Sequence, residues 1–240
     1  MSNPATITLQ QLFRYYRALP HQTASIEQLE KDLAANGYAA AMRRDRPWFK
    51  TWSQAGKQAD ASSRGNPLSV PWFSQMDSAT DQAARMCFSS SCAMLTSFLR
   101  PGSLLGPNGD DQYLKVVRTH GDTTDPQAQL KALASYGIQA TFTKTATFTT
   151  IEQQIDAGIP VPCGYLHRGP LNAPTGGHWL VVCGYDLTHV IVHDPFGEAD
   201  LISGATVAPV ARFAYYSRKN FGRRWMAEGE GTGWAIIAQR

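Results

Sequence analysis

The sequence predicts an α+β fold, in which helices pack on a mostly antiparallel sheet behind a small helical unit. Three observations predict it. Helical periodicity comes first along the chain and strand-like runs later, the order of segregated helices and strands rather than alternating βα units. Phe88, Cys92, Leu95 and Leu99 recur at spacings of four, three and four, the rhythm of one helix face, and Pro101 and Gly102 stop it. Two apolar runs, 177–185 and 190–193, flank a turn at Asp186, Leu187 and Thr188, as paired strands would.

Taken in order, residues 1–58 read as a small helical domain. Leu9, Leu12 and Tyr16 line one side of a first helix that stops near Leu19 and Pro20. Ser25 and Gln28 make a capping-box pattern that opens a second, and Gly37 closes it. A third piece begins near Pro47 and carries Trp48, Phe49 and Trp52. Residues 59–67, rich in Ala, Ser, Asn and Gly, read as a linker. The larger domain, 68–240, opens with a short strand at 70–73 and a polar loop before the Cys87 helix. Amphipathic helices follow at 110–119 and 125–135, then a strand at 138–142, a helix at 148–157 and a strand at 161–166. After the strand pair come a strand-like run at 213–217, a basic aromatic stretch at 219–225 and a last strand at 234–238.

Composition narrows the function. With 43% hydrophobic and 10% aromatic residues in 240, the chain can fill a core and is not globally disordered. A net charge of +3 with scattered basic residues gives no nucleic-acid footprint. No apolar run reaches membrane-span length and the first residues lack a secretory pattern, so membrane insertion is not expected and synthesis is expected in the cytoplasm. Cys87, Cys92, Cys163 and Cys183 lack the paired spacing of a zinc site or a disulfide framework and are expected as free thiols; no metal or other cofactor is called for.

Three stretches carry chemistry. Cys87 stands at the predicted helix start, where unpaired N–H groups and the macrodipole favour a thiolate. A lone cysteine is more often a small buried hydrophobe, so the assignment needs partners. His178 opens a strongly apolar strand and so sits at the sheet's rim, placed to act as a base. Asp194 closes the next apolar strand, and antiparallel pairing would return it to the His178 end, where it could orient the imidazole. Gln75 and Gln82, both upstream of the cysteine, are alternative side-chain donors to an oxyanion.

These stretches also carry a resemblance. Val-Pro-Trp-Phe-Ser-Gln-Met-Asp at 70–77, Cys-x-x-Ser-Ser-x-Ala-Met-Leu from Cys87, Gly-Gly-His-Trp-Leu-Val-Val-x-Gly-Tyr-Asp at 176–186 and Val-x-Asp-Pro-Phe-Gly at 192–197 occur in order. Together they resemble the papain-like cysteine peptidases related to the bacteriocin leader-processing (double-glycine) peptidases, over 68–240. The resemblance implies Cys87 as nucleophile, His178 as general base, Asp194 as orienter, Gln75 as oxyanion donor and Cys92 as core. Phe88 and Trp179, next to the nucleophile and the base, are expected to meet substrate. Two departures stand out: Phe88 replaces the Gly or Asn of many relatives, and Gln82 suits the papain spacing better than Gln75 does.

Segments 216–221, 224–225 and 231–237 are similar to the C-terminal part of peptidase domains in phage endolysins, and 12–22 more weakly to a leader found beside cell-wall hydrolases of phages and cyanobacteria. These likenesses imply a peptidoglycan-degrading endopeptidase or amidase, working as a monomer on the wall after membrane permeabilisation. Trp48, Phe49, Trp52 and His21 would then be candidate wall or partner contacts, although interhelical packing accounts for them more simply. A cysteine peptidase that processes a protein partner, or a non-catalytic wall-binding or virion module, would use the same fold.

Overall fold

The computed structural model describes residues 66–239. The helices expected at 1–58, with Trp48, Phe49, Trp52 and His21, and the linker up to residue 65 lie outside the described residues. Within them, five helices (α1 Cys87–Leu99, α2 Gly109–Arg118, α3 Pro126–Ser135, α4 Phe148–Asp156, α5 Arg218–Trp225) accompany a six-stranded sheet. Its strands are β1 Ala140–Ala146, β2 Val161–Arg168, β3 Thr175–Tyr185, β4 His189–Asp194, β7 Ala211–Ser217 and β8 Gly233–Ala238. They lie in the order β1-β8-β2-β3-β4-β7, and every pairing is antiparallel. A two-stranded ribbon, β5 Glu198–Ala199 with β6 Thr206–Ala208, lies between β4 and β7 along the chain.

Helix α1 runs through the interior, with Phe88 to Thr96 all buried. Ser89 and Ser90 suit such a helix, since small polar side chains allow close packing when neighbours satisfy them. Ser90 donates to Asp110 Oδ2 on α2 at 2.6 Å, and Ser89 accepts from Gln129 Nε2 on α3 at 2.8 Å. Pro126 at the first turn and an Asp125 cap that accepts from Gln127 N–H start α3 where the sequence predicts.

Alternate residues of a strand face opposite sides of the sheet. In the β2–β3 pair, Gly164 lies opposite Trp179 and Tyr165 opposite His178. Phe88 of α1 stacks on Trp179 and Phe221 of α5 packs on Tyr165, so the two helices cover opposite faces. Gly164 makes room for the indole, because a Cβ there would come within 3.0 Å of it.

Three sequence expectations change. Residues 70–73 form no strand, because their contacts with β4 run through side chains and not through a backbone ladder. Val70 O accepts from His193 Nε2 at 3.0 Å, and Trp72 Nε1 donates to Asp194 O at 3.2 Å. The strand expected from 138 starts at Ala140, since Gly137 with φ +69° and the Ile138 N–H bond to Leu133 O finish the cap of α3. The basic aromatic stretch at 219–225 is helix α5, capped by Ser217.

Candidate active site

The strand ends bring together groups that the chain separates widely. Met86 caps α1 with its backbone alone, so Cys87 occupies the first helical position with no side chain bonded to the leading N–H groups. His178 lies four residues into β3 and Asp194 ends β4, and antiparallel pairing returns both to one rim. His178 Nε2 lies 2.6 Å from Asp194 Oδ1, with the two side chains 4% and 1% exposed. With Nε2 held by Asp194, Nδ1 is the nitrogen left for Cys87, whose sulfur acts on the charge of the ring.

Charge decides the state of this ring. Burial alone would favour neutral imidazole, but the Asp194 carboxylate and the Cys87 sulfur, by charge and hydrogen bond, outweigh it and push His178 up to about 10. His178 therefore carries its proton at neutral pH. Cys92, Cys163 and Cys183 are buried, and burial drives their thiols well above the ordinary range. Cys87 is the only one of the four cysteines that is not buried.

Asp194 is held from several sides. Oδ1 also accepts from Phe196 N–H at 3.0 Å, and Oδ2 accepts from the Tyr165 hydroxyl at 2.9 Å. Tyr165 in turn contacts the Tyr216 hydroxyl, which accepts from Ala199 N–H at 2.8 Å. Tyr165, His167 and Phe196 surround the imidazole with ring centroids 5.6, 4.8 and 6.0 Å away. The sequence reading missed Tyr165 and His167. The available signal was that Tyr165 is the fifth residue of the apolar run 161–166 and His167 follows it directly, but only pairing with β3 sets Tyr165 opposite His178.

Gln75 begins a short 3₁₀ turn, is 1% exposed, and its N–H donates to Pro195 O at 3.0 Å, beside Asp194. Its Nε2 donates to Ala83 O at 2.6 Å, which fixes the amide plane and leaves a second N–H on the same nitrogen. Gln82 is half-buried and its Oε1 accepts from Arg85 at 3.3 Å. Phe88, expected at the substrate, is 1% exposed and lies flat on Trp179, with centroids 3.6 Å apart and planes at 4°. Trp179 is half-buried, and the aromatic surface continues through Phe142 to Trp234, 39% exposed, with Lys144 Nζ 4.5 Å above its ring. Among the described residues no helix is long and apolar enough to cross a membrane.

The Peptidase_C39 like family matches residues 67–227. No curated protein matches the chain. Among solved structures, the chain is similar to a putative C39-like peptidase from Bacillus anthracis, at 15% identity over 73% of this chain and 98% of that one, with a TM-score of 0.49. It is also similar to a double glycine motif protease from an AMS/PCAT transporter in complex with its leader peptide, at 19% identity over 73% and 94%, TM-score 0.43. A third is the peptidase domain of Streptococcus ComA, a bifunctional ABC transporter, at 19% identity over 65% and 91%, TM-score 0.44.

Proposed function

The chain belongs to the Peptidase_C39 like family and is a cysteine peptidase, and from that premise we propose that it hydrolyses an amide bond in the peptide stems or cross-links of peptidoglycan. The observation that carries the chemistry is the buried 2.6 Å contact of His178 with Asp194, beside the one cysteine of four that is not buried.

The Cys87 sulfur, as thiolate beside imidazolium, attacks the amide carbon and forms a C–S bond. Negative charge gathers on the former carbonyl oxygen, where the Cys87 backbone N–H and the second Nε2 proton of Gln75 receive it. His178 then gives its proton to the leaving nitrogen, the C–N bond breaks, and an amine departs from a thioester. The imidazole, now neutral, takes a proton from water as its oxygen attacks the thioester carbon. The acid leaves, and sulfur and imidazolium return to their starting state. Asp194 keeps Nε2 engaged throughout, so that Nδ1 faces the sulfur.

The choice of wall substrate rests on the likeness of 216–221, 224–225 and 231–237 to phage endolysin peptidase domains. These segments supply α5 and β8, which build around the site: Arg224 binds the end of β2, and Trp234 extends the aromatic surface. Delivery to the wall by a second, membrane-permeabilising protein belongs to the same reading. Processing of a protein partner, such as a double-glycine leader, is the alternative that shares the chemistry.

A zymogram on purified cell walls tests the proposal, with Cys87→Ala as control and a double-glycine leader peptide in parallel. Clearing that disappears in the variant is expected. Cleavage of the leader with no clearing would overturn the wall substrate and keep the peptidase.

A further inference from the structure

One residue beyond the imidazole that packs on His178 stands a cation, Arg168, that the reaction above does not use. His167, next to last in β2, packs its ring 4.8 Å from that of His178. Its Nδ1–H donates to Gly176 O at 2.7 Å, so Nε2 is left as an acceptor, and it receives Arg168 Nε–H at 3.2 Å. Burial, and then the positive charge on His178, bring His167 down to about 4, so it remains a neutral acceptor at ordinary pH.

Arg168 is held at three levels. Its backbone carbonyl accepts from Arg224 Nη1 at 3.2 Å, and the same buried guanidinium binds Leu166 O and Gly169 O at 2.8 and 2.7 Å. Its Cγ and Cδ lie across Gly176, where a Cβ would approach them to 3.3 and 3.2 Å and where φ is +68°. Its Nε is taken by His167. Among the described residues no carboxylate forms an ion pair with Arg168, and its side chain is exposed at the rim. An ordinary surface arginine samples many rotamers in water. This one presents its terminal N–H pair as a preset fork, the geometry that matches a carboxylate.

We propose that Arg168, oriented by His167, is an anion subsite that recognises a carboxylate of the substrate near the amide being cut. The inference deepens the peptidoglycan reading, because stem peptides carry free carboxylates on their acidic residues, and it names which stems the enzyme selects. Amidated stems would lose the contact and leave the fork unpaired.

Two measurements separate this subsite from the wall reading. The first compares alkylation of Cys87 by iodoacetate, an anion, and by neutral iodoacetamide. Arg168→Gln should lower the ratio of the two rates roughly three- to ten-fold, the size expected of one nearby charge at a protein surface, and Arg168→Lys should retain most of it. The second compares two soluble muropeptides that differ only in whether the stem carboxylates are free or amidated. Wild type should favour the free form about ten-fold in kcat/KM, and Arg168→Gln should abolish the preference. An unchanged alkylation ratio in Arg168→Gln, or equal turnover of the two muropeptides by wild type, overturns the subsite. Cleavage of neither muropeptide, with the alkylation effect intact, supports the subsite and overturns the wall substrate.

Discussion

His178 Nε2 and Asp194 Oδ1 meet at 2.6 Å in a place sealed from water, so one proton and one charge are shared where neither could be held alone. Asp194→Ala should lower kcat roughly 10²- to 10⁴-fold, the range seen when a triad's orienting acid is lost. Asp194→Asn should cost less, since it keeps a hydrogen-bond acceptor. Both should move the alkaline limb of the kcat profile to lower pH, because the carboxylate's charge is the first-ranked support of the imidazolium against burial. Steady-state kinetics between pH 5 and 11, on whichever substrate the enzyme accepts, would reveal an unmoved limb and so refute this role.

The same pair makes stability depend on pH. His178 is raised above its unfolded value of 6.5 to about 10, so its contribution is complete below 6.5 and is lost as pH climbs through 10. The urea midpoint of wild type should fall from pH 7 to pH 10.5, and that of His178→Ala should fall less. Parallel declines in both proteins would show that other groups govern the effect.

Tyr165 contributes through its hydroxyl. Tyr165→Phe keeps the ring beside His178 but takes from Asp194 Oδ2 its hydroxyl donor, while the Tyr216 hydroxyl keeps the Ala199 N–H. A buried polar group stranded in this way costs about 1–3 kcal/mol. We expect that loss in chemical denaturation, and a lower kcat with KM little changed. A KM effect without a kcat effect would place Tyr165 in substrate binding instead.

Gln75→Ala removes the side-chain donor and leaves the Cys87 N–H in place. A fall in kcat of roughly 10- to 10³-fold with similar KM is expected, by comparison with other single oxyanion donors. Gln82→Ala should change little, since Gln82 reaches only Arg85. The reverse ranking of the two variants would give the oxyanion role to Gln82.

Arg224 donates to the carbonyls of Leu166, Arg168, Gly169, Leu201 and Ile202, tying α5 to the end of β2 and to the loop before β6. Arg224→Lys offers three donors from one point and cannot span them. It should destabilise the fold by about 3 kcal/mol, measurable as a lower urea midpoint, whereas Arg223→Lys on the exposed side of α5 should be neutral.

Much of the sheet was legible because pleated strands with one or two buried faces must show their apolar residues in the sequence. The runs containing Val181 to Tyr185 and Val190 to His193 are of that kind, and they placed Asp194 at the end of a strand; His178, expected at a strand start, lies four residues into β3. The stretch at 70–73 has the same composition but enters no backbone ladder, and its hydrogen bonds with His193 and Asp194 of β4 run through side chains. Apolarity marks what is buried and says nothing of which backbone lies alongside.

The order of residues was enough to place most helices and strands, to put Cys87 at a helix start, and to supply the motifs that join sulfur, imidazole and carboxylate in one reading. These properties reside in neighbouring residues, through periodicity, capping and turn chemistry. It took the packed fold to charge the imidazole, to bury Phe88 flat against Trp179, and to set Tyr165 and His167 around His178 with Arg168 held by His167. Those outcomes depend on burial and on contacts between β2, β3, β4 and α5. Electric fields and packing act across space, so the order of residues along the chain carries them only once the strands have paired.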